Sequence, residues 1–306
     1  MNTAARLGAY AGGLAVVFGA AFAVGAAADP VSPAPARSHA ADGEGTGMGG
    51  MTTNASPHAA APVTAAALPG LAISQDGYTL VPAATALTAG DRVPFRFTVT
   101  GPDGRPVTRY TATHTKKLHL IVVRRDMARF QHVHPTLGPG GTWSIPLDVS
   151  AAGTYRVFAD FTPAGHTTGL TLGTDLAVAG DYQPRALPEP ATSTAVDGYD
   201  VALGGIAVAG REAELTFTVS RNGAKVTDLQ PYLGAFGHLV SLRAGDLAYL
   251  HTHPAEEATS GQRGGPSVRF GTTFPTPGNY RLFLDFRAGG TIRTAELTVT
   301  VREGST

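Results

Sequence analysis

The chain repeats one pattern of residues between residues 70 and 302, and this duplication limits the possible folds more than any other feature. Gly77-Tyr78 opens the first copy and Gly198-Tyr199 opens the second. Apolar residues then alternate with polar or proline residues, at Val93, Phe95, Phe97 and Val99 in the first copy and at Ala213, Leu215, Phe217 and Val219 in the second. A period of two residues is typical of a β-strand with one buried face, so both copies predict the same β-structure.

Further turns and strands follow in the same order in both copies. The turn dipeptides Asp103-Gly104 and Asn222-Gly223 come after the alternating segments, and residues 153–161 match residues 278–286. Each copy closes on a strand rich in Thr and Val, which gives about seven short strands per copy. No sustained 3.6-residue apolar stripe interrupts them. The pattern predicts an all-β fold of two tandem antiparallel β-sandwich domains, with an immunoglobulin-like or a cupredoxin-like topology.

A hydrophobic segment precedes these copies. Arg6 is followed by an uncharged apolar run, residues 7–28, which is long enough for a membrane helix. The run ends in Ala26-Ala27-Ala28, an A-x-A-like site, so a cleaved signal peptide is the alternative to a membrane anchor. The first interpretation predicts a protein on the outer face of the cytoplasmic membrane with a single N-terminal anchor, and the second predicts a secreted protein.

The chain is therefore predicted to have five segments. An Ala-, Pro- and Gly-rich stretch without periodicity predicts a disordered linker, and prolines mark a second, shorter linker between the copies. The segments are 1–28 (membrane anchor or signal peptide), 29–69 (disordered linker containing His and Met), 70–181 (first β-sandwich repeat), 182–193 (linker) and 194–302 (second β-sandwich repeat).

Composition excludes several partners and sites. The 306 residues carry a formal net charge of zero, so no basic field is present to attract nucleic acid. Cysteine is absent, which excludes disulfides, thiolate zinc sites and iron–sulfur clusters. Any bound metal ion must be held by nitrogen, oxygen or thioether ligands.

Six of the ten histidines form two triplets with identical spacing. His119 is followed by His132 and His134 in the first repeat, and His238, His251 and His253 have the same separations in the second. Three imidazoles are a common ligand set for a transition metal ion. The spacing predicts one three-histidine metal site in each repeat.

A β-hairpin model gives these triplets a geometry. If a two-residue turn at Asp126-Met127 joins the two strands, His134 lies opposite His119, and His132 lies two positions along on the same face. The same reasoning places His253 opposite His238. A His-x-His strand beside a third histidine is similar in ligand geometry to the zinc site of carbonic anhydrases, although nothing else in the chain resembles that family.

Weaker candidates surround the triplets. Asp160 and Asp285 occupy matching positions, where each predicts either a carboxylate that orients a ligand imidazole or an ion pair with the arginine four residues earlier. His114 and His166 occur only in the first repeat and are candidates for a fourth ligand there. Met48 and Met51 lie in the linker, and thioether with imidazole suits Cu(I), although an incidental polar linker is the simpler interpretation.

Residues 117–126, 130–135, 141–143 and 153–161 resemble a group of largely uncharacterised actinobacterial envelope proteins. The resemblance covers residues 71–301 and the anchor. These relatives have an N-terminal anchor and repeated His-x12-His-x-His-Pro β-modules, and they are loosely labelled secreted or heavy-metal-binding. A looser similarity is to cupredoxin-like periplasmic copper chaperones, but this chain ends its motif in His-x-His instead of His-x-Met, which shifts the preference from Cu(I) towards Cu(II) or zinc.

The expected function is extracytoplasmic metal binding, with copper favoured over zinc because of the His- and Met-bearing linker. The expected partners are metal ions, together with the membrane if the anchor is uncleaved. No Glu or Asp lies at a spacing that identifies a general base, so we expect no enzyme. The alternatives are a non-catalytic structural or adhesive tandem β-sandwich of the envelope and, third, a three-histidine metalloenzyme.

Overall fold

Each sequence repeat forms its own set of strands. The computed structural model describes residues 68–250 and 252–304, which fall within one compact unit. In the first repeat the strands are β1 (Ser74–Gln75), β2 (Tyr78–Pro82), β3 (Ala86–Leu87), β4 (Val93–Thr100), β5 (Tyr110–Thr111), β6 (Leu118–Arg124), β7 (Gln131–Val133), β8 (Thr136–Leu137), β9 (Thr142–Leu147), β10 (Gly153–Pro163) and β11 (Leu170–Val178), with a short 3₁₀ helix at Pro139–Gly141. In the second they are β12 (Ser193–Val196), β13 (Tyr199–Gly204), β14 (Glu212–Arg221), β15 (Ala224–Lys225), β16 (Gly237–Arg243), β17 (Tyr249–Leu250), β18 (His253–Pro254), β19 (Ser267–Thr273), β20 (Gly278–Ala288) and β21 (Thr291–Val301).

The strands of each repeat assemble into two sheets around one apolar core. The first repeat has the strand orders β1-β2-β4-β9-β8 and β3-β11-β10-β6-β7, and the second has β12-β13-β14-β19-β18 and β17-β16-β20-β21. The alternating apolar residues that the sequence placed on one strand face fill these cores, as Phe95, Phe97 and Phe217 show. The predicted fold of two tandem antiparallel β-sandwiches is confirmed.

The strand order also distinguishes the two topologies that the sequence left open. With β2, β4, β9 and β8 as strands A, B, E and D, and β6, β10 and β11 as strands C, F and G, the first repeat has the two sheets of an immunoglobulin domain. Near the start of strand F, the Tyr155 hydroxyl donates a hydrogen bond to the Ala151 carbonyl four residues upstream, and Tyr280 does the same to Thr276. This is the tyrosine corner of immunoglobulin-like domains, so the topology is immunoglobulin-like.

One strand of each repeat is buried on both faces. In β6, Leu120 and Val122 point into the sandwich core, whereas Ile121 and Val123 point the other way. These outward residues form an apolar cluster between the repeats, which we call the inter-repeat core; its members are Ile121, Val123, Met127 and Phe158 from the first repeat and Val240, Leu242, Leu247, Tyr249 and Phe283 from the second. Contact across the repeats therefore buries a second apolar face that each sandwich would otherwise expose to water.

The β6–β7 hairpin has the register that the turn predicts. Leu120 pairs with Val133, and Ile121 pairs with His132. Continued by one residue beyond the pair of Leu120 and Val133, this register places His134 beside His119. In the second repeat Ser241 pairs with Leu250, the corresponding register. Beyond Leu250 the chain changes sheets, because His253 pairs with Gly271 of β19.

The predicted anchor, most of the predicted linker with Met48 and Met51, and His251 lie outside the described residues. Within residues 68–250 and 252–304, no helix is long and apolar enough to cross a membrane.

Candidate metal centre

The strand alternation directs one histidine of each repeat towards the other repeat. His119 shares its face of β6 with Ile121 and Val123, and His238 shares its face of β16 with Val240 and Leu242. Both histidines therefore lie along the inter-repeat core. Their rings stack with centroids 5.4 Å apart and an interplanar angle of 13°.

The β6–β7 hairpin brings two more imidazoles to this point. His119 Nδ1 lies 3.0 Å from His132 Nε2 and 3.3 Å from His134 Nε2. The ring of His238 lies 4.6 Å from that of His132, and one ligand nitrogen from each of His119, His132 and His238 falls within 4.8 Å of the others. We call His119, His132, His134 and His238 the histidine cluster.

The grouping of these histidines differs from the prediction of one site per repeat. The described triplet combines His119 and His132 of the first repeat with His238 of the second. His253 is exposed on β18, where the chain has joined the other sheet, and His251 lies outside the described residues. The sequence could not reveal this grouping because it depends on which faces of the two sandwiches meet.

In His119 and in His132, one ring nitrogen faces the cluster and the other, the outer nitrogen, is hydrogen-bonded to a group outside it. The hydrogen bond of the outer nitrogen determines which nitrogen of the ring is unprotonated. The Nε2 of His119 lies 3.0 Å from the Thr113 carbonyl, an acceptor only, so Nε2–H is the donor. The Nδ1 of His132 lies 2.7 Å from the Asp285 carboxylate, so here Nδ1–H is the donor. In the neutral rings the inward nitrogens, His119 Nδ1 and His132 Nε2, therefore carry lone pairs.

These two lone pairs face each other at 3.0 Å, so a proton or a metal ion must lie between or beside them. Around a tetrahedral ion with metal–nitrogen bonds of 2.0–2.1 Å, neighbouring ligand nitrogens are about 3.3 Å apart. The separations of 3.0 and 3.3 Å from His119 Nδ1 are close to that value. The spacing of these nitrogens is therefore compatible with tetrahedral coordination.

Burial favours the neutral form of three imidazoles of the cluster, those of His119, His134 and His238. Desolvation lowers the pKa of His119 to about 4 and that of His134 to about 3, and in both cases the neighbouring histidines lower it further. Burial also holds the pKa of His238 well below its usual value. Neutral imidazole is the form that binds metal ions, so burial favours the binding form of His119, His134 and His238.

His238 and Tyr232 complete the surroundings. The Nδ1 of His238 is buried and has no hydrogen-bond partner among the described residues. A buried nitrogen without a partner is costly, and a metal ion would satisfy it. The ring of Tyr232 lies 6.4 Å from that of His132 and 6.5 Å from that of His134, and burial raises the pKa of its hydroxyl.

The weaker candidates have different placements. Asp285 contacts His132 instead of Arg281, whose guanidinium pairs with Glu296 at 2.7 Å. Asp160 lies opposite His119 in the β6–β10 register and hydrogen-bonds with Tyr249 of the other repeat.

The two extra histidines of the first repeat also separate. The ring of His114 lies 6.0 Å from that of His119 and 5.6 Å from that of His238. The Nε2 of His166 instead lies 2.7 Å from the Tyr78 hydroxyl. The structure thus brings His114, but not His166, to the rings of the cluster.

Sequence reasoning missed the Thr113 carbonyl, Tyr232 and the pairing of Asp285 with a histidine of the other repeat. A signal for the inter-repeat contact was present in residues 118–124, Leu-His-Leu-Ile-Val-Val-Arg, which are apolar at almost every position instead of at alternate ones. A continuous apolar run indicates a strand that is buried on both faces.

The fold and the cluster define a class: a tandem immunoglobulin-like β-sandwich protein with a buried histidine cluster between its repeats. The chain belongs to the family described as "Domain of unknown function (DUF8832)", whose model matches it twice, over residues 73–176 and 194–303. A comparison with curated protein sequences finds no match.

Solved structures give distant similarities. The Escherichia coli adhesin FdeC is 13% identical, with 76% of this chain and 66% of that chain covered and a TM-score of 0.24. Domains 5-6 of the S-layer protein SbsC are 13% identical, with coverage of 74% and 98% and a TM-score of 0.23. The D0-D1 domain of Intimin is 11% identical, with coverage of 73% and 97% and a TM-score of 0.21. Alignments this loose transfer no function, and the fold rests on the strand pairing itself.

Proposed function

We propose that this protein is a non-enzymatic, extracytoplasmic metal-binding protein that holds one transition metal ion between its two repeats. His119 Nδ1, His132 Nε2 and the nitrogen of His238 are the primary ligands. His134 is placed for a fourth position. The single observation that carries the proposal is the pair of inward lone pairs at His119 and His132, whose outer nitrogens are committed to Thr113 and Asp285.

Copper is the proposed ion and zinc the alternative. Imidazole nitrogen suits copper, zinc, iron and nickel, and among the divalent ions of the first row it binds Cu(II) most tightly. The described part of the cluster offers no thioether, so Cu(II) fits it better than Cu(I). Binding of Cu(I) by Met48 and Met51 of the predicted linker, separate from the histidine cluster, is a further part of the copper proposal.

Asp285 supports metal binding as the carboxylate of a carboxylate–histidine–metal arrangement. Its side chain is 4% exposed and that of His132 is 1% exposed, and Asp285 also accepts a hydrogen bond from the Thr294 hydroxyl at 2.6 Å. A carboxylate in this position increases the basicity of the ligand imidazole and holds its ring in place.

The test is calorimetric titration of the purified protein with Cu(II) and Zn(II), compared with the variant His119→Ala/His132→Ala/His238→Ala. We expect the variant to lose one equivalent of bound ion. Because an ion that binds only the folded state stabilises it, ion at 100 times Kd should add about 2.7 kcal/mol to the free energy of unfolding of the native protein only.

His166→Ala is the matched control, because its imidazole contacts Tyr78 away from the cluster. This variant should bind Cu(II) and Zn(II) with the stoichiometry of the native protein, and the bound ion should stabilise it to the same extent. Equal stoichiometry and equal thermal shifts for the native protein and the triple variant would refute the proposal.

A second candidate function is a non-catalytic structural or adhesive module of the cell envelope. The observation that favours it is the inter-repeat core, in which apolar side chains of the two sandwiches pack against each other. On this hypothesis the inward nitrogens share protons, and added metal leaves the thermal stability unchanged. The adhesin and S-layer similarities agree with it but are too distant to support it.

A further inference from the structure

A strained turn holds His114 over the histidine cluster. Thr113 and Lys116 exchange backbone hydrogen bonds of 2.8 and 3.0 Å around His114 (φ 48°) and Thr115 (φ 68°). Two successive positive φ angles define a type I′ turn, which favours Asn and Gly. The corresponding turn of the second repeat has Gly234 where the first has Thr115.

Left-handed backbone costs about 1–2 kcal/mol for a residue with a Cβ atom. Thr115 is β-branched, so its position in this turn is unfavourable for its residue type. Strain of this kind persists where the surrounding structure enforces it, and it concentrates at functional sites. Here the result is a fifth imidazole, His114, whose ring is 6.0 Å from that of His119 and 5.6 Å from that of His238.

Two cavities share His114 and His253 in their linings. One, of about 910 Å³, is an open cleft between the two repeats and includes Glu257 in its lining. The other, of about 410 Å³, is lined by His119 and Asp160. His114 and His253 line both cavities, and His253 is exposed on β18.

We propose that His114 and His253 form an entry site that takes a first-row transition metal ion from solvent and passes it to the histidine cluster. The proposal rests on the proposed function. Transfer is ligand exchange without electron transfer: a nitrogen of His238 or His119 bonds to the ion before an entry-site imidazole releases it. Of these two receiving histidines, His119 lines the smaller cavity, and the buried Nδ1 of His238 has no hydrogen-bond partner among the described residues.

The charges around the two cavities permit this route. Lys116 and Lys117 line the smaller cavity, and Arg263 and Arg287 line the larger one. All four side chains are exposed. Because they are in contact with high-dielectric solvent, their repulsion of a cation is weak, and the carboxylates of Asp160 and Glu257 line the same two cavities.

Stopped-flow mixing of the full chain with Cu(II) and with Zn(II) tests the route, using His114→Asn/His253→Gln. Asn suits the left-handed turn at position 114, so this variant should keep the fold. An entry site is a path and not a final ligand, so its loss should slow association and dissociation together, each by about tenfold, and leave Kd unchanged. His166→Ala is the control and should retain the native rates.

Three outcomes are decisive. Equal slowing of both rates supports an entry site. Unchanged rates with unchanged Kd overturn it, and so does a weaker Kd caused by faster dissociation alone, which would make His114 or His253 a ligand of the cluster. Failure of the proposed function is separate, because the native protein would then bind no more ion than His119→Ala/His132→Ala/His238→Ala.

Discussion

At the scale of single residues, the tautomers of two histidines carry the functional argument. His132 donates from Nδ1 to Asp285 of the other repeat, and His119 donates from Nε2 to the Thr113 carbonyl. Each inward nitrogen is left with a lone pair, and the two lie 3.0 Å apart. In the proposed metal site, these outer contacts set the tautomer and the orientation of the two ligand rings.

Replacing Asp285 tests this arrangement. Asp285→Asn keeps the size of the side chain but replaces the carboxylate that accepts the His132 Nδ1–H hydrogen bond with a neutral amide. We expect Cu(II) or Zn(II) affinity to fall about 10–100-fold, as measured by competition with a chelator. Asp175→Asn is the control from the first repeat, since Asp175 pairs with Arg125 and Arg156 and contacts no histidine of the cluster among the described residues. Equal losses in both variants would contradict a specific role for Asp285.

The strained turn gives a prediction about stability. Thr115→Gly should raise the free energy of unfolding by about 1 kcal/mol, because glycine adopts left-handed backbone without a Cβ clash. The opposite change in the second repeat, Gly234→Thr, should lower it by a similar amount. Urea denaturation of both variants measures the effects, and a destabilised Thr115→Gly variant would show that the turn is not strained.

At the scale of elements, β6 and β16 each contribute side chains to two apolar cores. Their inward residues fill a sandwich, and their outward residues meet across the repeats. Phe130 stacks on Phe283 with ring centroids 4.0 Å apart, and Tyr249 contacts Phe158 at 5.6 Å. These reciprocal aromatic contacts hold the strand faces that carry His119 and His238.

Truncation in the inter-repeat core should therefore reduce both stability and metal affinity. Phe283→Ala removes a fully buried ring, which costs about 3–5 kcal/mol. We also expect weaker ion binding by titration, because the ligands of the two repeats lose their relative placement. Leu80→Ala, a truncation inside the first sandwich core, is the control: it should lose stability but keep affinity. Similar affinity losses in both variants would count against the inter-repeat site.

At the scale of the whole molecule, burial of the histidine cluster makes stability depend on pH. The pKa values of His119 and His134 fall to about 4 and about 3 in the folded protein, against about 6.5 in an unfolded chain. Below pH 6.5 the unfolded state therefore binds more protons than the folded state. Proton binding lowers the free energy of the unfolded state relative to that of the folded state, so the folded protein loses stability as the pH decreases.

We expect the free energy of unfolding of the metal-free protein to decline from about pH 6.5 to about pH 4. Urea denaturation in the presence of a chelator measures it. His119→Gln/His134→Gln removes the two titrating rings and should show a shallower decline. Parallel pH profiles for the native protein and this variant would contradict the assigned burial.

The sequence by itself determined the repeats, the strands and the hairpin register. Strand alternation and turns such as Asp126-Met127 are local features, since their hydrogen bonds and side-chain directions depend on near neighbours in the chain. His134 accordingly lies beside His119, as the turn predicts.

Only the tertiary structure decided which histidines meet. Two identical triplets predicted two sites, but the outward faces of β6 and β16 bring His238 to His119 and His132 and place Asp285 on His132. Those contacts join residues more than 100 positions apart in the chain and result from burying two apolar faces against each other. A local pattern can show that a second apolar face exists, but it does not specify which surface covers it.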